Sequence, residues 1–518
     1  MTIGRTANVK RNIYYELIHV TLSQVLPFIV RSFLIYRWGI EYLGLNSLFS
    51  SVLSVLSLME LGFGTAAVYS MYSPAAMGDT KLICAYLAHY RKVYQFIGIT
   101  VLLMGLVLMP FLRTIIRDPV LPGGINLYVC YLIFLSNAVI DYMLYGYMTA
   151  LPIVFQRRDV LSRVSMLTAL LQCLLQIIVL SSSTSFYLYL FILPTITIAR
   201  NLITAQVVKK MYPDITCRGK ISSVQKHDLK KRVSGILINK LTAVSRNSID
   251  SLCISAFFGL AMTGMYNNYF FVMTALLSFS GVVCSSMMAS VGNSIAVENK
   301  DKNYSNMRLF DFIYMAIAGW ATVCMLCLYQ PFILAWLGDK MMMRMPVVVG
   351  LCSYFYVLKC GDIRWVWHEG AGLWWESRYI MIAEGCVNII LNILLCKFLG
   401  VTGIVFATVV SVFATNLILC PKLIFNEYFK NSKVYEYWID HIEYAVTMVI
   451  TACLSWLISR VIFPLGMIET RDIGSCILCL GGRLLVCSII ALGVFWLLWC
   501  RSDRYKSAVI WIRKAVVI

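Results

Sequence analysis

Charged side chains are scarce in this sequence. Only 13% of its 518 residues are Asp, Glu, Lys or Arg, whereas 60% are hydrophobic, and the mean hydropathy is +0.78. A soluble globular domain carries about twice that charged fraction. The composition therefore excludes an ordinary soluble protein and indicates a chain that lies largely inside a membrane.

Several motifs of catalysis and energy conversion are also absent. The sequence contains no G-x-x-x-x-G-K-[ST] phosphate loop and no H-E-x-x-H zinc motif. No hydrophilic segment is long enough to form a nucleotide-binding domain, or the extramembrane active site that a membrane polymerase or glycosyltransferase needs. We therefore predict that the chain is not an enzyme, does not hydrolyse ATP, and needs neither a cofactor nor a metal ion.

Cysteine is plentiful, with 18 residues, but its arrangement does not indicate a metal or redox site. Two C-x-x-C spacings occur, at Cys324 and Cys327 and at Cys476 and Cys479, and both lie inside apolar segments without paired histidines. Free cysteine behaves as a small, polarizable hydrophobic residue. We interpret these cysteines as packing residues and expect no structural disulfides.

Long apolar segments separated by charged connectors occur fourteen times. Each is about long enough to cross a bilayer as a helix, and none has the short alternating pattern of a barrel strand. The first follows Arg5, Lys10 and Arg11 without a convincing cleavage site, so we expect a retained helix. The segments cover residues 13–36, 45–72, 93–116, 125–150, 160–181, 186–208, 233–257, 265–291, 309–333, 346–369, 379–398, 401–425, 442–463 and 475–500.

The basic residues predict the orientation of these helices. If both termini are cytoplasmic, most of the 44 Lys and Arg residues fall on the cytoplasmic side, as the positive-inside rule requires. The longest connector, residues 209–232, holds eight of them. The net charge of +19 then reflects topology and contact with anionic lipid, and we predict no nucleic-acid partner.

A repeated glycine pattern predicts two related halves. Gly39 and Gly44 precede one long apolar segment, and Gly259 and Gly264, with the same spacing, occupy the same place in the second half. We therefore predict a duplicated six-helix unit. The predicted parts are an N-terminal lobe at 1–208, a basic linker at 209–232, a C-terminal lobe at 233–425, and two further helices with a basic tail at 426–518.

Several sequence pieces, taken in order, resemble bacterial polysaccharide flippases of the Wzx type. The resemblance extends from Tyr14 to about Pro421 and is carried by the following pieces: EYLGLNSLF, ELGFGTA and YSMYSPAA within 41–79, then IDSLCISAFFG (249–259), TGMYNNY (263–269), SVGNSIA (290–296), PFILAWLGD (331–339), GLWWESRYIMIAEGCVNIILNILL (372–395) and KFLGVTGIVFAT (397–408).

That family belongs to the multidrug, oligosaccharidyl-lipid and polysaccharide (MOP) exporter superfamily. The resemblance implies an all-α polytopic protein with two six-helix lobes around a central cavity and two extra C-terminal helices. It implies flipping of a polyprenyl-pyrophosphate-linked oligosaccharide to the outer leaflet of the bacterial inner membrane, for a surface polysaccharide polymerase. Another lipid-precursor or multidrug exporter of the superfamily is the second reading, and a membrane polysaccharide polymerase or ligase is the third.

Three carboxylates inside apolar segments are candidates for proton or sodium coupling or for gating. Glu60 is the only charged residue between Glu41 and Asp79, and a buried charge there costs at least about 2.5 kcal/mol. Asp141 and Asp250 are the other two candidates. The alternative for Glu60 is a carboxylate neutralised by helix packing. The alternative for Asp250 is a structural ion pair with Arg246, four residues earlier.

Five residues are candidates for binding the substrate that the resemblance implies. Arg31 could hold the pyrophosphate, because the guanidinium group keeps its charge and donates in pairs. Arg246 could face the cavity in a pair with Asp250 whose exchange of partners gates the lobes. Arg364, Trp365 and Trp367 could bind phosphate and stack on sugars. The alternatives are an arginine that extends to the membrane surface and an interfacial aromatic belt. We also predict that Lys359 and Asp362 neutralise each other.

Overall fold

The computed structural model describes residues 3–57, 63–115, 124–155, 157–182, 185–430, 433–468 and 473–516, with some side chains inside helices left out. Nearly all of these residues are helical, and none of the described residues is in a β-strand. The predicted all-α fold is confirmed. The chain divides into two compact units, Met1–Gly264 and Met265–Ile518.

Within the residues that the structure describes, the first unit contains nine α-helices and the start of a tenth. They are α1 (Ile3–Trp38), α2 (Ile40–Leu56), α3 (Phe63–Met77), α4 (Thr80–Leu108), α5 (Leu112–Ile115), α6 (Leu127–Met143), α7 (Ala150–Val154), α8 (Arg158–Ser182), α9 (Phe186–Met211) and the first part of α10 (Ser223–Val297).

The second unit contains the rest of α10 and eight more helices. They are α11 (Lys300–Leu337), α12 (Met345–Gly370), α13 (Arg378–Leu399), α14 (Val401–Phe413), α15 (Cys420–Ile424), α16 (Val434–Ile462), α17 (Ile473–Trp499) and α18 (Asp503–Val516). Two π-helical turns, Ala414–Leu419 and Phe425–Phe429, flank α15. The 209–232 connector ends inside α10, and the predicted domain boundaries stay a prediction.

Eleven of the described helices are long and apolar enough to cross a membrane, or twelve if the bent pair of Leu127–Met143 and Gly146–Val154 forms one span. The fourteen predicted segments are roughly consistent with this number. The segments 233–257 and 265–291 lie on opposite sides of the break at Gly259 in α10, and the predicted segment 45–72 is divided between α2 and α3. The chain is therefore a multi-pass membrane protein, and its many exposed apolar side chains fit contact with lipid.

Local sequence signals set the ends of several helices. The Asp79 side chain accepts a hydrogen bond from the backbone N–H of Leu82 and caps α4. Asn299 caps α11 in the same way through the N–H of Lys302. These side chains satisfy N–H groups that the first helical turn leaves unpaired.

The repeated glycines break their helices in the same way. Gly39, between α1 and α2, has φ 105° and ψ 172°. Gly259, inside α10, has φ 83° and ψ 179°. Residues with a Cβ rarely adopt this conformation. Its recurrence at matching positions in the glycine pattern agrees with a duplicated unit.

Candidate functional site

A polar pocket lies inside the first unit, between α2, α6 and α9. Its volume is about 510 Å³. Hydroxyl and amide groups alternate with apolar side chains in its wall, and none of the described residues that line it is charged. The wall residues are Asn46, Ser50, Leu53, Ser54, Ser57, Phe134, Asn137, Ala138, Tyr142 and Leu193.

One face of α2 supplies most of the polar groups. Asn46, Ser50 and Ser54 are spaced four residues apart, and Ser57 follows three residues later, so all four project in one direction. The Ser50 and Ser54 hydroxyls donate to the carbonyl oxygens one turn earlier, at 2.8 Å each. Their oxygen lone pairs therefore remain available to donors in a bound molecule.

The opposite wall is fixed by a hydrogen bond between α6 and α9. The Thr197 hydroxyl donates to Asn137 Oδ1 at 2.7 Å. This contact orients the Asn137 amide at the pocket wall. Polar contacts of this kind hold membrane helices together because lipid offers no alternative partner.

One helical turn beyond Asn137, Asp141 forms an ion pair with α9. Arg200 Nη2 lies 2.8 Å from Asp141 Oδ1, and the Asn201 amide donates to the same oxygen at 3.0 Å. The two charged side chains are 39% and 45% exposed. Charge at such a position is costly in lipid and tolerated where it faces water.

A second intramembrane ion pair lies in the second unit. Lys359 Nζ is 2.6 Å from Asp362 Oδ2, which confirms that the two residues neutralise each other. Lys359 also donates to the Ser280 hydroxyl at 2.8 Å, and the Tyr314 hydroxyl donates to Asp362. The pair therefore links α10, α11 and α12.

The other candidates on α12 are mostly buried. Arg364 and Trp367 are each 1% exposed, and the Trp367 indole donates to Asn303 at 3.2 Å inside the core. Trp365 is half-buried, stacks on His368, and donates to Glu369 at 2.9 Å. In this conformation Trp367 has no exposed ring face for a sugar, so its substrate role stays a prediction without support from the geometry.

The remaining candidates are distributed over the first unit. Arg31 is half-buried on α1 and is close enough to Tyr189 for electrostatic interaction. Asp250 is buried on α10. Glu60 lies outside the described residues, and the side chain of Arg246 does too. The roles predicted for these four residues stay predictions.

Asp141 is recognisable in the sequence as a carboxylate inside an apolar segment, whereas the pocket beside it is not. A signal was present, since Asn46, Ser50, Ser54 and Ser57 recur at helical spacing in an apolar segment. Asn137 and Asp141 on α6 and Thr197 and Asn201 on α9 are each four residues apart as well. The sequence could not show that these three faces point at one another.

Comparison with known proteins gives no matching family model and no curated protein of significant sequence similarity. Solved structures, however, match over most of the chain. A multidrug resistance MATE transporter of the MOP superfamily matches in its inward-facing conformation with TM-score 0.58 and 13% identity, over 79% of this chain and 96% of that chain. An outward-facing conformation of such a transporter gives TM-score 0.60 and 12% identity, over 82% and 96%.

A third match is a MOP superfamily transporter from Pyrococcus furiosus, described as having a binding pocket of reverse polarity that suggests a different function. It gives TM-score 0.59 and 13% identity, over 82% of this chain and 96% of that chain. At identities this low, the structural similarity shows the fold and does not identify the transported molecule. The chain therefore has the fold of the transporters of the MOP superfamily.

Proposed function

We propose that this chain carries polyprenyl-pyrophosphate-linked oligosaccharide units from the cytoplasmic to the outer leaflet of the bacterial inner membrane, by alternating access and without ATP hydrolysis. Both termini lie in the cytoplasm in this proposal. The units delivered outside would supply a surface polysaccharide polymerase. The transporter fold and the polar pocket of the first unit support the proposal, together with the sequence resemblance to Wzx-type flippases.

The single observation that carries the proposal is the chemistry of the pocket wall. Transfer of a sugar hydroxyl from water into hydrocarbon without a hydrogen-bond partner costs about 1 to 3 kcal/mol of free energy. The serine hydroxyls and asparagine amides of the wall both donate and accept hydrogen bonds, as sugar hydroxyls do. A pocket volume of about 510 Å³ would hold part of an oligosaccharide.

Energy for the cycle could come from the membrane potential or from an ion gradient. An inside-negative potential adds about 2.3 kcal/mol per outward-moving negative charge per 100 mV. A pyrophosphate carrier is negatively charged, so the potential favours its outward movement. Coupling to protons or sodium would instead require intramembrane carboxylates, for which Glu60, Asp141 and Asp250 are the predicted candidates.

A multidrug or other lipid-precursor exporter is the second candidate function. It is favoured by the structural matches, several of which are multidrug resistance transporters. In that case the pocket would bind cations or other amphiphiles. A polysaccharide polymerase or ligase is the weakest candidate, because the sequence offers no sizeable extramembrane segment for an active site.

Reconstituted protein distinguishes these candidates. We expect the full chain in proteoliposomes to move a labelled polyprenyl-pyrophosphate oligosaccharide across the bilayer, with imposed potential and ion gradients varied separately. The double variant Ser50→Val, Ser54→Val should slow this movement at least tenfold. The control Thr100→Val removes a hydroxyl from the exposed face of α4 and should leave the rate unchanged.

Each of the three candidate functions predicts a different result. Movement of organic cations without movement of the oligosaccharide lipid would favour the multidrug exporter. In cells that lack the chain, single lipid-linked units that already face outward would indicate a polymerase. Units that remain on the cytoplasmic side would support the flippase.

A further inference from the structure

A buried histidine in the second unit is surrounded by oxygen atoms. His441, on α16, is only 4% exposed. Its Nδ1 lies 3.0 Å from the carbonyl oxygen of Tyr437, and its Nε2 lies 3.1 Å from the carbonyl oxygen of Cys360 on α12. Asp311 Oδ2, on α11, is 3.5 Å from the same Nε2. The His441 ring therefore contacts its own helix, α16, and the helices α11 and α12.

The two carbonyl contacts determine the protonation state that fits this geometry. A neutral imidazole carries one N–H donor and one lone pair, whereas the imidazolium carries two donors. A carbonyl oxygen can only accept. In the neutral ring, one nitrogen lone pair would face a carbonyl lone pair at a buried position. Only doubly protonated His441 donates to both Tyr437 and Cys360.

Asp311 supplies the opposite charge. Its carboxylate is buried, and its Oδ1 has no hydrogen-bond donor among the described residues. Arg364, on α12, is near enough to interact with it electrostatically. Two cationic groups, Arg364 and His441, therefore adjoin one buried carboxylate.

The charged side chains around this site include more carboxylates than arginines. Arg308 on α11 forms ion pairs with Asp440 at 2.5 Å and Glu436 at 3.1 Å, and Arg504 on α18 forms ion pairs with Asp440 at 2.9 Å and Glu443 at 3.1 Å. Three arginines then face four carboxylates, a fifth carboxylate, Glu384, lies with Arg364 around Cys420, and the imidazolium adds a positive charge to this acidic cluster. The four carboxylates are Asp311, Glu436, Asp440 and Glu443, and the arginines are Arg308, Arg364 and Arg504.

The other titratable groups around His441 and Asp311 are tyrosine hydroxyls and the Cys360 thiol. The Tyr437 hydroxyl donates to the Cys360 carbonyl at 2.9 Å, so that oxygen accepts from both residues of α16. The rings of Tyr437 and Tyr444 lie 4.1 Å and 5.6 Å from the His441 ring, and Tyr356 adjoins Asp311. None of these groups carries a charge near neutral pH. These groups therefore add no charge to the site.

We propose that His441 and Asp311 form a proton-binding site, and that the bound proton holds α16 against α11 and α12. Loss of the proton turns one donor into a lone pair that faces a carbonyl oxygen, and it leaves Asp311 without its nearest positive partner. The contact of α16 with α11 and α12 then weakens. Because Arg504 of α18 pairs with Asp440 and Glu443 of α16, α18 moves together with α16. The site is a property of the folded chain and is independent of the cargo proposed above.

The protonation state can be measured directly by NMR. The chain has only five histidines, so the full-length protein labelled with ¹⁵N in its histidine rings gives a simple spectrum. His441→Gln identifies the signal. We expect an imidazolium at neutral pH, whereas His368, whose ring nitrogens have no hydrogen-bond partner among the described residues, should be neutral and serves as the matched control. A neutral His441 ring across about pH 5 to 8 would overturn the proposal.

Stability supplies the second measurement. A proton that the native state binds more tightly makes thermal stability fall as the pH rises through the titration of the site. We expect this fall in the wild type, and its loss in His441→Gln but not in His368→Gln. Asp311→Asn should keep the His441 signal but move its titration to lower pH by about one unit or more, because the opposite charge is gone. An unchanged titration in Asp311→Asn would refute the pairing, even if His441→Gln does not fold.

Discussion

Gly44 on α2 is in direct contact with the backbone of Leu260 on α10. A Cβ atom at Gly44 would lie 2.1 Å from the Leu260 carbonyl oxygen. The reciprocal contact also exists, because a Cβ at Gly264 would lie 2.7 Å from the carbonyl oxygen of Ile40. In the repeat, Gly264 corresponds to Gly44 and Leu260 corresponds to Ile40, so the repeated glycines serve one symmetric backbone crossing.

We predict that Gly44→Ala disrupts this crossing. A methyl group cannot share space with a backbone carbonyl, so the two helices must separate, at a cost of at least about 1 to 3 kcal/mol. Thermal unfolding of the purified protein, followed by size-exclusion chromatography, should show a clear loss of stability. Gly264→Ala should behave in the same way.

A second glycine gives the matched control. Nothing lies within 4 Å of a Cβ built at Gly281, which is also inside α10. Gly281→Ala should therefore leave stability unchanged or raise it slightly, since alanine favours the helix. Equal stability of the Gly44→Ala and Gly281→Ala proteins would contradict the close crossing.

The sequence predicted this part of the fold well because the constraint is local. A glycine with positive φ leaves a direct trace in the sequence, and the glycine pair recurs with the same spacing in the second half, where the predicted duplication places it. Long apolar segments likewise predicted the membrane helices. Where the fold differs, as in the division of 45–72 between two helices, the apolar composition alone could not show the break.

The charged sites were harder to predict because their partners are distant in sequence. Lys359 and Asp362 are three residues apart, and their pairing was predicted correctly. Asp311 and His441 lie on helices that are far apart in the chain, and nothing in either segment indicates the other. Trp367 was a candidate for stacking on sugars, with an interfacial belt as the alternative, and it is buried in the core. Residue type gives the chemistry, whereas helix packing decides which groups meet.

The ion pair of Asp141 and Arg200 should matter more for transport than for stability. Both side chains are partly exposed, so breaking the pair should cost about 1 kcal/mol or less. Asp141→Asn should therefore unfold within a few degrees of the wild type but transport more slowly. Transport in proteoliposomes and thermal unfolding of the same preparation check both expectations. A large loss of stability with normal transport would show that the pair is structural.

Arg483 on α17 should contribute strongly to the packing of α16. It is buried, and its guanidinium donates to the carbonyl oxygens of Phe463 and Cys327, each at 3.0 Å. Phe463 follows the last turn of α16, where carbonyls lack helical partners. Arg483→Leu leaves these oxygens without a donor and should cost about 1.5 to 3 kcal/mol. Thermal unfolding of the purified variant measures this loss.

The control for Arg483 is a neighbouring arginine that faces outward. Arg460, on α16, is exposed and lies over the Trp456 ring at 5.1 Å. Arg460→Leu should change thermal stability only slightly, because its charge remains solvated in the wild type. The proposed role of Arg483 would be wrong if both leucine variants unfolded at the same temperature.

Glu298, between α10 and α11 and outside the membrane-spanning segments, should make the protein sensitive to acid. Lys302 lies 2.8 Å from its carboxylate and the Ser294 hydroxyl donates to it at 2.8 Å; these contacts lower the pKa of Glu298 below its usual value. A lowered pKa gives stability that is present above the unfolded pKa of about 4.3 and is lost as the pH falls through the folded pKa. Glu298→Gln should therefore be less stable than the wild type near neutral pH, with the difference vanishing below about pH 4. Thermal unfolding at several pH values measures this difference.

Asp301→Asn is the control for Glu298→Gln. Asp301 is 82% exposed and lies 3.4 Å from its partner Lys433, so its substitution should have a small effect on stability. A Glu298→Gln deficit that stays constant across the pH range would mean that the charge of Glu298 is not the cause.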